Sequence, residues 1–240
     1  MASLKAAKKE LRQQIRRALQ DISAESVASQ SQTVSSIILS SPEYQAARRI
    51  SIYLSMPAGE INTAPIVHDA LRNGKRVFIP YTHRIASPSQ GQSVSVMDML
   101  SLHSVADYDS FAPDSWGIPI PSDDSIAVRA NCLGATRLED QRVGTGVGQG
   151  GLDMIVMPGM AFDNELGRLG HGKGYYDRFL QFYQETRKEK DGENARMPFL
   201  VGLALQEQLL PDHELVPTDP TDRRLDALAV GDGTLRRAKT

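Results

Sequence analysis

At 240 residues, 40% of them hydrophobic, the chain is long enough for one large α/β domain with a substantial core. Its 27 basic and 29 acidic residues leave a net charge of −2, which excludes a general attraction to nucleic acid or acidic membranes. The single cysteine, Cys132, fits a reducing compartment, and no apolar run reaches the ~18 residues of a spanning helix, so a cytoplasmic protein without nucleic-acid or membrane partners is expected. A monomer is the expected unit, although composition does not bear on it.

Leu4, Ala7, Leu11, Ile15, Ala18, Leu19 and Ile22 recur at helical spacing and give one apolar stripe. Lys8 and Arg12 fall on its shoulder, while Lys5, Lys9 and Arg16 lie further round towards solvent. This basic amphipathic start also leaves a mitochondrial pool open, although Glu10 favours a folded helix. Ser23 is a candidate N-cap for a second helix running towards Leu39. "RRISIYLS" reads as a strand ending near Ser55, and "MPAGEINT" as a polar turn. Thr63 to Asn73 reads as a helix closed by Gly74, followed at once by the strand "KRVFIP". That order predicts a βαβ unit in a mostly parallel sheet.

"SVSVMDML" is a further strand or half of a hairpin, and Pro113 to Pro121 an extended loop around Trp116. From Ser122 the chain is polar and then glycine-rich, so residues 122–150 are expected to form a flexible surface insertion. "LDMIVMPG" has the continuous apolar character of a buried parallel strand. A helix from Gly174 carries Tyr175, Phe179, Leu180 and Tyr183 on one side and fades into "TRKEKDGEN"; "PFLVGLAL" and "LDALAV" are two more strands. Without an internal repeat or a boundary, residues 1–240 form one domain.

"GRLGHGKGYYDRFL" holds the chemistry. Gly167, Gly172 and Lys173 fit the phosphate-loop pattern G-x-x-x-x-G-K, but Gly174 stands where a magnesium-binding Ser or Thr belongs. Gly170, Gly172 and Gly174 alternate with His171 and Lys173 between a buried strand and a helix start. Exposed N–H groups, a helix N-terminus and a lysine together favour polyphosphate. A plain surface turn with a solvated lysine is the alternative. Asp177 either stabilises the positive helix end or holds magnesium, and Asp219, Asp222 and Asp226 offer a second carboxylate or simple turn residues. Five scattered histidines and one cysteine give no zinc spacing, and no G-x-S-x-G elbow is present.

"MPGMAFDNELGRLGHGKGYYDRFL" resembles the signature of 5-formyltetrahydrofolate cyclo-ligases, also called methenyltetrahydrofolate synthetases. "KKELRQQIR", "SIYLSMPAGEINT", "MDM", "SWGIPIP" and "VPTDPTDRRLD" extend the resemblance in the family's order, over most of the chain except Ser122 to Gly150. The resemblance implies a three-layer α/β/α fold with a mostly parallel sheet, similar to sugar-phosphate isomerase and CoA-transferase relatives. It implies ring closure of 5-formyltetrahydrofolate with ATP as co-substrate and magnesium as cofactor. Carried over residue by residue, Lys8, Arg12 and the loop Arg168, Leu169, Gly170, His171, Gly172, Lys173, Gly174, Tyr175 and Tyr176 match ATP contacts. Lys173 and Arg168 match the catalytic cations, and Asp177 and Asp222 the magnesium ligands. Leu54, Met56, Glu60, Trp116, Tyr175 and Tyr176 fall in the folate pocket, with Glu60 suited to the pterin N–H groups. The turn before Glu60 is slightly longer than in some family forms. Rival readings are a kinase or ligase for another metabolite and a folate binder without turnover.

Overall fold

A computed structural model describes residues 2–86, 93–135, 150–192 and 195–238. The first helix, α1 (Ala2–Gln20), is followed by α2 (Ala24–Ser40), which Ser23 caps by accepting from Ser26 N–H, and by the short α3 (Pro42–Ala46). Strand β1 (Arg49–Ile52), helix α4 (Ala64–Arg72) and strand β2 (Arg76–Ala86) form the expected βαβ unit. β3 (Ser93–Leu102) returns antiparallel along the whole of β2, so the two make one long hairpin. Short elements follow: α5 (Val105–Asp109), β4 (Ala112–Pro113), β5 (Pro119–Ile120) and α6 (Asp123–Ile126). Then come β6 (Met154–Met157), the two-residue strands β7 (Ala161–Phe162) and β8 (Arg168–Leu169), helix α7 (Tyr175–Asp191), β9 (Phe199–Ala204), β10 (Ala227–Val230) and β11 (Leu235–Arg237).

The main sheet runs β11-β10-β9-β6-β1-β2-β3, parallel throughout except at its two edge strands. The central strands are buried on both faces, as their continuous apolar runs demand. On one face, Val34 and Ile38 of α2 and Ile66, Val67 and Ala70 of α4 pack on Ile50 and Ile52. On the other, Phe179, Leu180 and Tyr183 of α7 pack on Phe78, Ile155 and Leu228. A third cluster joins Leu11 and Ile15 of α1 to Met160, Leu169, Leu210 and Val216, which brings α1 against the chain that leaves β6. The result is the three-layer α/β/α arrangement.

Four expectations change. β1 stops at Ile52 rather than near Ser55, because Thr63 binds the next stretch: its hydroxyl donates to the Tyr53 carbonyl (2.7 Å) and its N–H to Ser55 Oγ (3.3 Å). α7 does not fade at the charged run but continues to Asp191, where Arg187 and Asp191 pair one turn apart. β7, β8 and β11 escape sequence reading because two- and three-residue strands carry no periodicity.

The largest correction concerns residues 122–150. Residues 122–135 belong to the folded body: Ile126, Cys132 and Leu133 are buried, and Asn131 bridges to Leu100 at the edge of β3. Arg129 is 2% exposed and forks onto both carboxylate oxygens of Asp107 (2.7 and 2.6 Å), with its guanidinium over the Phe111 ring. A polar composition concealed this anchor, since a buried arginine paired to a carboxylate from another segment reads in sequence like a surface one. Residues 136–149, with most of the glycines, lie outside the described residues.

Candidate active site

The connections leaving β1 and β6 diverge. β1 continues through α4 to β2 on one side, whereas β6 continues through α7 to β9 on the other. Such a switch point opens a crevice at the carboxyl ends of the two strands. The segments that rise from those ends are residues 53–63 and 158–174, and they carry most of the expected site residues.

The glycine-loop side is built on the second segment. Asp163 pins its turn, accepting from the N–H groups of Glu165 (2.9 Å), Gly167 (2.8 Å) and, across the chain, Val216 (2.8 Å). β7 and β8 then deliver Arg168 to Gly174 beyond the sheet, with Leu169 buried beneath. Residues 171–174 are exposed, and among the described residues Lys173 makes no hydrogen bond or ion pair. Gly172 has φ +102° beneath the Arg12 guanidinium. Gly174 is the N-cap of α7 at φ +63°, a left-handed position that disfavours Ser or Thr and so accounts for the absent phosphate-loop hydroxyl.

Charges from distant segments close around this loop. Arg12 Nε donates to the Gly170 carbonyl at 2.8 Å and fastens α1 to it. Lys8 Nζ lies 2.8 Å from Asp219 and 2.5 Å from Asp222. Burial disfavours the Lys8 ammonium, but hydrogen bonds to Asp219 and Asp222 outweigh this and raise its pKa. The hydrogen bond from Lys8 holds Asp219 well below the usual carboxylate range. Arg168, buried and over the Tyr176 ring, reaches both oxygens of Asp177 at 3.2 and 3.3 Å, while its Nε has no partner. Asp177 also accepts from Arg223 N–H at 3.3 Å, so the two expected metal carboxylates hang on adjoining backbone. Asp177 stands in the first turn of α7, where its charge also faces the positive end of the helix. His171 titrates below the ordinary histidine value, first through desolvation and then through Arg16, Arg168 and Arg12.

The other side of the crevice is quieter. Glu60 is 8% exposed, and burial pushes its pKa up to about 8 despite a hydrogen bond from Met56 N–H. Desolvation, then the charge of Glu60, raises Tyr53; desolvation also dominates Tyr176, which feels Arg168 and Glu60 in opposite senses. Tyr176 therefore stands where the two sides meet. Leu54 is buried in the core, and Met56 is half-buried at the rim. The loop carrying Trp116 abuts the 56–59 turn: a Cβ on Gly117 (φ +78°) would sit 2.5 Å from Pro57 Cγ. Trp116 itself is 71% exposed. Tyr175 is tied back to the hairpin, its hydroxyl 2.9 Å from Ser95 Oγ and its ring beneath Arg178.

Of the residues expected from the resemblance, contacts bring Lys8, Arg12, Arg168, Asp177 and Asp222 together at the glycine loop, while Leu54, Met56, Glu60 and Trp116 lie on the segments leaving β1 and beside it. Sequence reasoning missed Asp163, whose signal was an Asx-type turn in "FDNELG", and Tyr53, which looks like any strand aromatic. Arg16 is exposed, as its place on α1 predicts, and its charge also reaches His171 of the loop. For a metal, Asp177 and Asp222 supply hard oxygen donors, and among the described residues no cluster of three or more His, Cys, Asp or Glu could form a complete cage. A pair of carboxylates that leaves the remaining positions to phosphate and water suits magnesium.

The fold and site define a doubly wound α/β protein whose ligand crevice opens at the carboxyl ends of its central strands, with a glycine loop and a helix N-terminus on one wall. The chain belongs to the 5-formyltetrahydrofolate cyclo-ligase family, whose pattern matches residues 4–231. It is 31% identical over 230 residues to the 5-formyltetrahydrofolate cyclo-ligase of Mus musculus, covering 96% of each chain. The enzyme of that name from Saccharomyces cerevisiae is 29% identical over 241 residues, covering 96% of this chain and 98% of that one. In fold it is similar to the 5,10-methenyltetrahydrofolate synthetase of Aquifex aeolicus, with a TM-score of 0.62 at 24% identity over 97% of this chain and 93% of that one. Among the described residues no helix is long and apolar enough to cross a membrane.

Proposed function

We propose that the protein closes 5-formyltetrahydrofolate to 5,10-methenyltetrahydrofolate with ATP, releasing ADP and phosphate. The observation that carries this reading is the convergence of Lys8, Arg12, Arg168, Asp177 and Asp222, from three separate segments, around one glycine loop. An amide-like formyl oxygen is a poor leaving group. Its attack on the γ-phosphorus, with ADP leaving, converts it to a phosphate ester. The neighbouring folate nitrogen then attacks the formyl carbon, loses its proton, and expels phosphate carrying the former formyl oxygen. The chain's task is to align the two ligands and neutralise phosphate charge.

Lys173, without a partner of its own, is suited to meet the transferring phosphoryl group, and Arg168 to steady it from below. Asp177 and Asp222 would hold magnesium, which supplies charge neutralisation at the phosphates. For that, Lys8 and Arg168 must leave their carboxylates for phosphate oxygens, an exchange of like for like in charge. Glu60 would pair with pterin N–H groups and Trp116 cover the ring. The buried thiol of Cys132, its pKa raised by desolvation, suits the cytoplasm.

The test follows absorbance of the methenyl product from 5-formyltetrahydrofolate with and without ATP and magnesium. Formyl-oxygen label recovered in inorganic phosphate supports the route. ATP turnover with other metabolites but not with 5-formyltetrahydrofolate overturns it.

A further inference from the structure

α1 meets the site along a single row of side chains. Leu11 and Ile15, at 8% and 4% exposure, pack in the same cluster as Leu169 and Met160 and fix the rotation of the helix. Arg12 follows Leu11 and reaches the glycine loop at 2.8 Å. Arg16 follows Ile15, so it repeats that bearing one turn later, about 6 Å along the axis. Lys8, Arg12 and Arg16 are the three rungs.

Their surroundings differ. Lys8 has two carboxylates, and Arg12 has a carbonyl. Arg16 has neither: among the described residues it makes no hydrogen bond or ion pair. Its neighbours one turn away on α1 are Arg12, Gln13, Leu19 and Gln20, none of them acidic. Across the gap stands His171, which the charge of Arg16 reaches more strongly than that of Arg168 or Arg12. The nearby carboxylates are already engaged, Asp177 by Arg168 and Asp219 and Asp222 by Lys8. A helix that holds an unpaired guanidinium facing other cations gains from an anion between them.

We propose that Arg16 is a third nucleotide-phosphate contact, taking the part of the phosphate chain farthest from the Asp177–Asp222 end. This rests on the ATP reading above and adds a residue that the family signature does not point to. Lying at the end opposite the metal carboxylates, Arg16 contributes to holding the nucleotide rather than to the transfer step.

Calorimetric titration of ATP with magnesium, in the absence of folate, tests it. Arg16→Ala is expected to weaken ATP about tenfold, the size of one hydrogen bond to a charged group. Arg16→Lys should recover part of the loss, and Arg17→Ala, at the next position and exposed like Arg16 itself, should bind like the unaltered protein. In turnover, Arg16→Ala should raise the KM for ATP and leave kcat in place. ATP affinity within twofold of the unaltered protein overturns the assignment, as does an equal loss in Arg17→Ala, which would indicate general charge only. A variant that loses affinity for 5-formyltetrahydrofolate but not ATP also overturns it, by placing Arg16 on a substrate carboxylate. If the unaltered protein binds no ATP, the functional reading itself fails.

Discussion

The two sides of the crevice prepare for their ligands in opposite ways. On the glycine-loop side Lys8 is paired with Asp219 and Asp222, Arg168 with Asp177 and Arg12 with a carbonyl, whereas among the described residues Lys173 and Arg16 make no hydrogen bond or ion pair. On the folate side Glu60 is buried with only a backbone hydrogen bond, and Trp116 stands in solvent. A highly charged ligand can displace internal ion pairs because it replaces them in kind. The uncharged pterin ring of the proposed substrate offers no such exchange, so on that reading its wall keeps a desolvated acid and an uncovered ring waiting. Nucleotide binding should therefore depend on exchange of partners, and folate binding on filling unmet demand.

The largest effect should come from the one loop cation free of that exchange. Lys173→Ala is expected to lower kcat by roughly 10²-fold or more, as for loss of a preorganised electrostatic donor, with folate affinity unchanged. Lys173→Arg should rescue only partly, since a planar fork replaces a compact ammonium. A surface turn with a solvated lysine predicts near-normal rates, and a steady-state ATP titration decides.

Next in size are the carboxylates. Asp177→Asn and Asp222→Asn should each raise the magnesium needed for half-maximal rate, on the order of tenfold or more. Their stabilities should separate. Asp177→Asn leaves the Arg168 side chain, 3% exposed, without its carboxylate, whereas Lys8 in Asp222→Asn is 15% exposed and keeps Asp219. A lower melting temperature is expected for Asp177→Asn alone. Equal magnesium dependence in both variants and the unaltered protein would return these residues to helix-end and turn roles.

Glu60 sharpens the contrast from the other side. Its folded pKa of about 8 lies above the ordinary 4.5, so the folded state keeps a proton that the unfolded chain releases. The stability tied to Glu60 is thus complete below about pH 4.5 and is lost as pH rises to about 8. Glu60→Gln should flatten that slope, matching the unaltered protein near pH 4 and exceeding it near pH 9 by on the order of a few kcal/mol. Donor N–H groups on the pterin favour the carboxylate, so folate binding at pH 7 should release a proton, visible as a buffer-dependent heat. Glu60→Gln should bind folate about tenfold more weakly and release none. Binding heats independent of the buffer would remove Glu60 from the pterin.

What could be read in the sequence follows the same division. The longer strands of the main sheet and the Ser23 cap were legible because burial and capping leave local patterns, as the short β11 does not. The glycine loop was legible because backbone approach to phosphate demands glycine at fixed spacing. The ion pairs were not, since Lys8 and Asp222 are 214 positions apart and no local pattern joins them. Nor was Arg129, whose burial depends on Asp107 arriving from another segment. Composition judged residues 122–135 by their polarity, and the structure shows that paired polarity can be core.

The smallest effect is expected at Trp116, and it tests whether an uncovered ring is waiting or merely left over. The loop that carries it is rigidly set: Asp114 Oδ1 accepts from the N–H groups of Trp116 (2.8 Å) and Ile118 (2.9 Å), and Gly117 packs on Pro57. A mobile surface tryptophan would need no such fixing. Stacking on a flat ring is worth about 1 kcal/mol beyond the area buried. Trp116→Ala should accordingly raise the KM for 5-formyltetrahydrofolate about fivefold, with the KM for ATP and the melting temperature unchanged, and Trp116→Phe should restore most of it. Because Trp116 is the only tryptophan, its fluorescence reports the ring directly. Added 5-formyltetrahydrofolate should quench the emission and shift it to the blue, after correction against free tryptophan, whereas ATP alone should leave it in place. A ring that serves only the surface would give an unshifted spectrum in both titrations, and the folate wall would then end at Glu60.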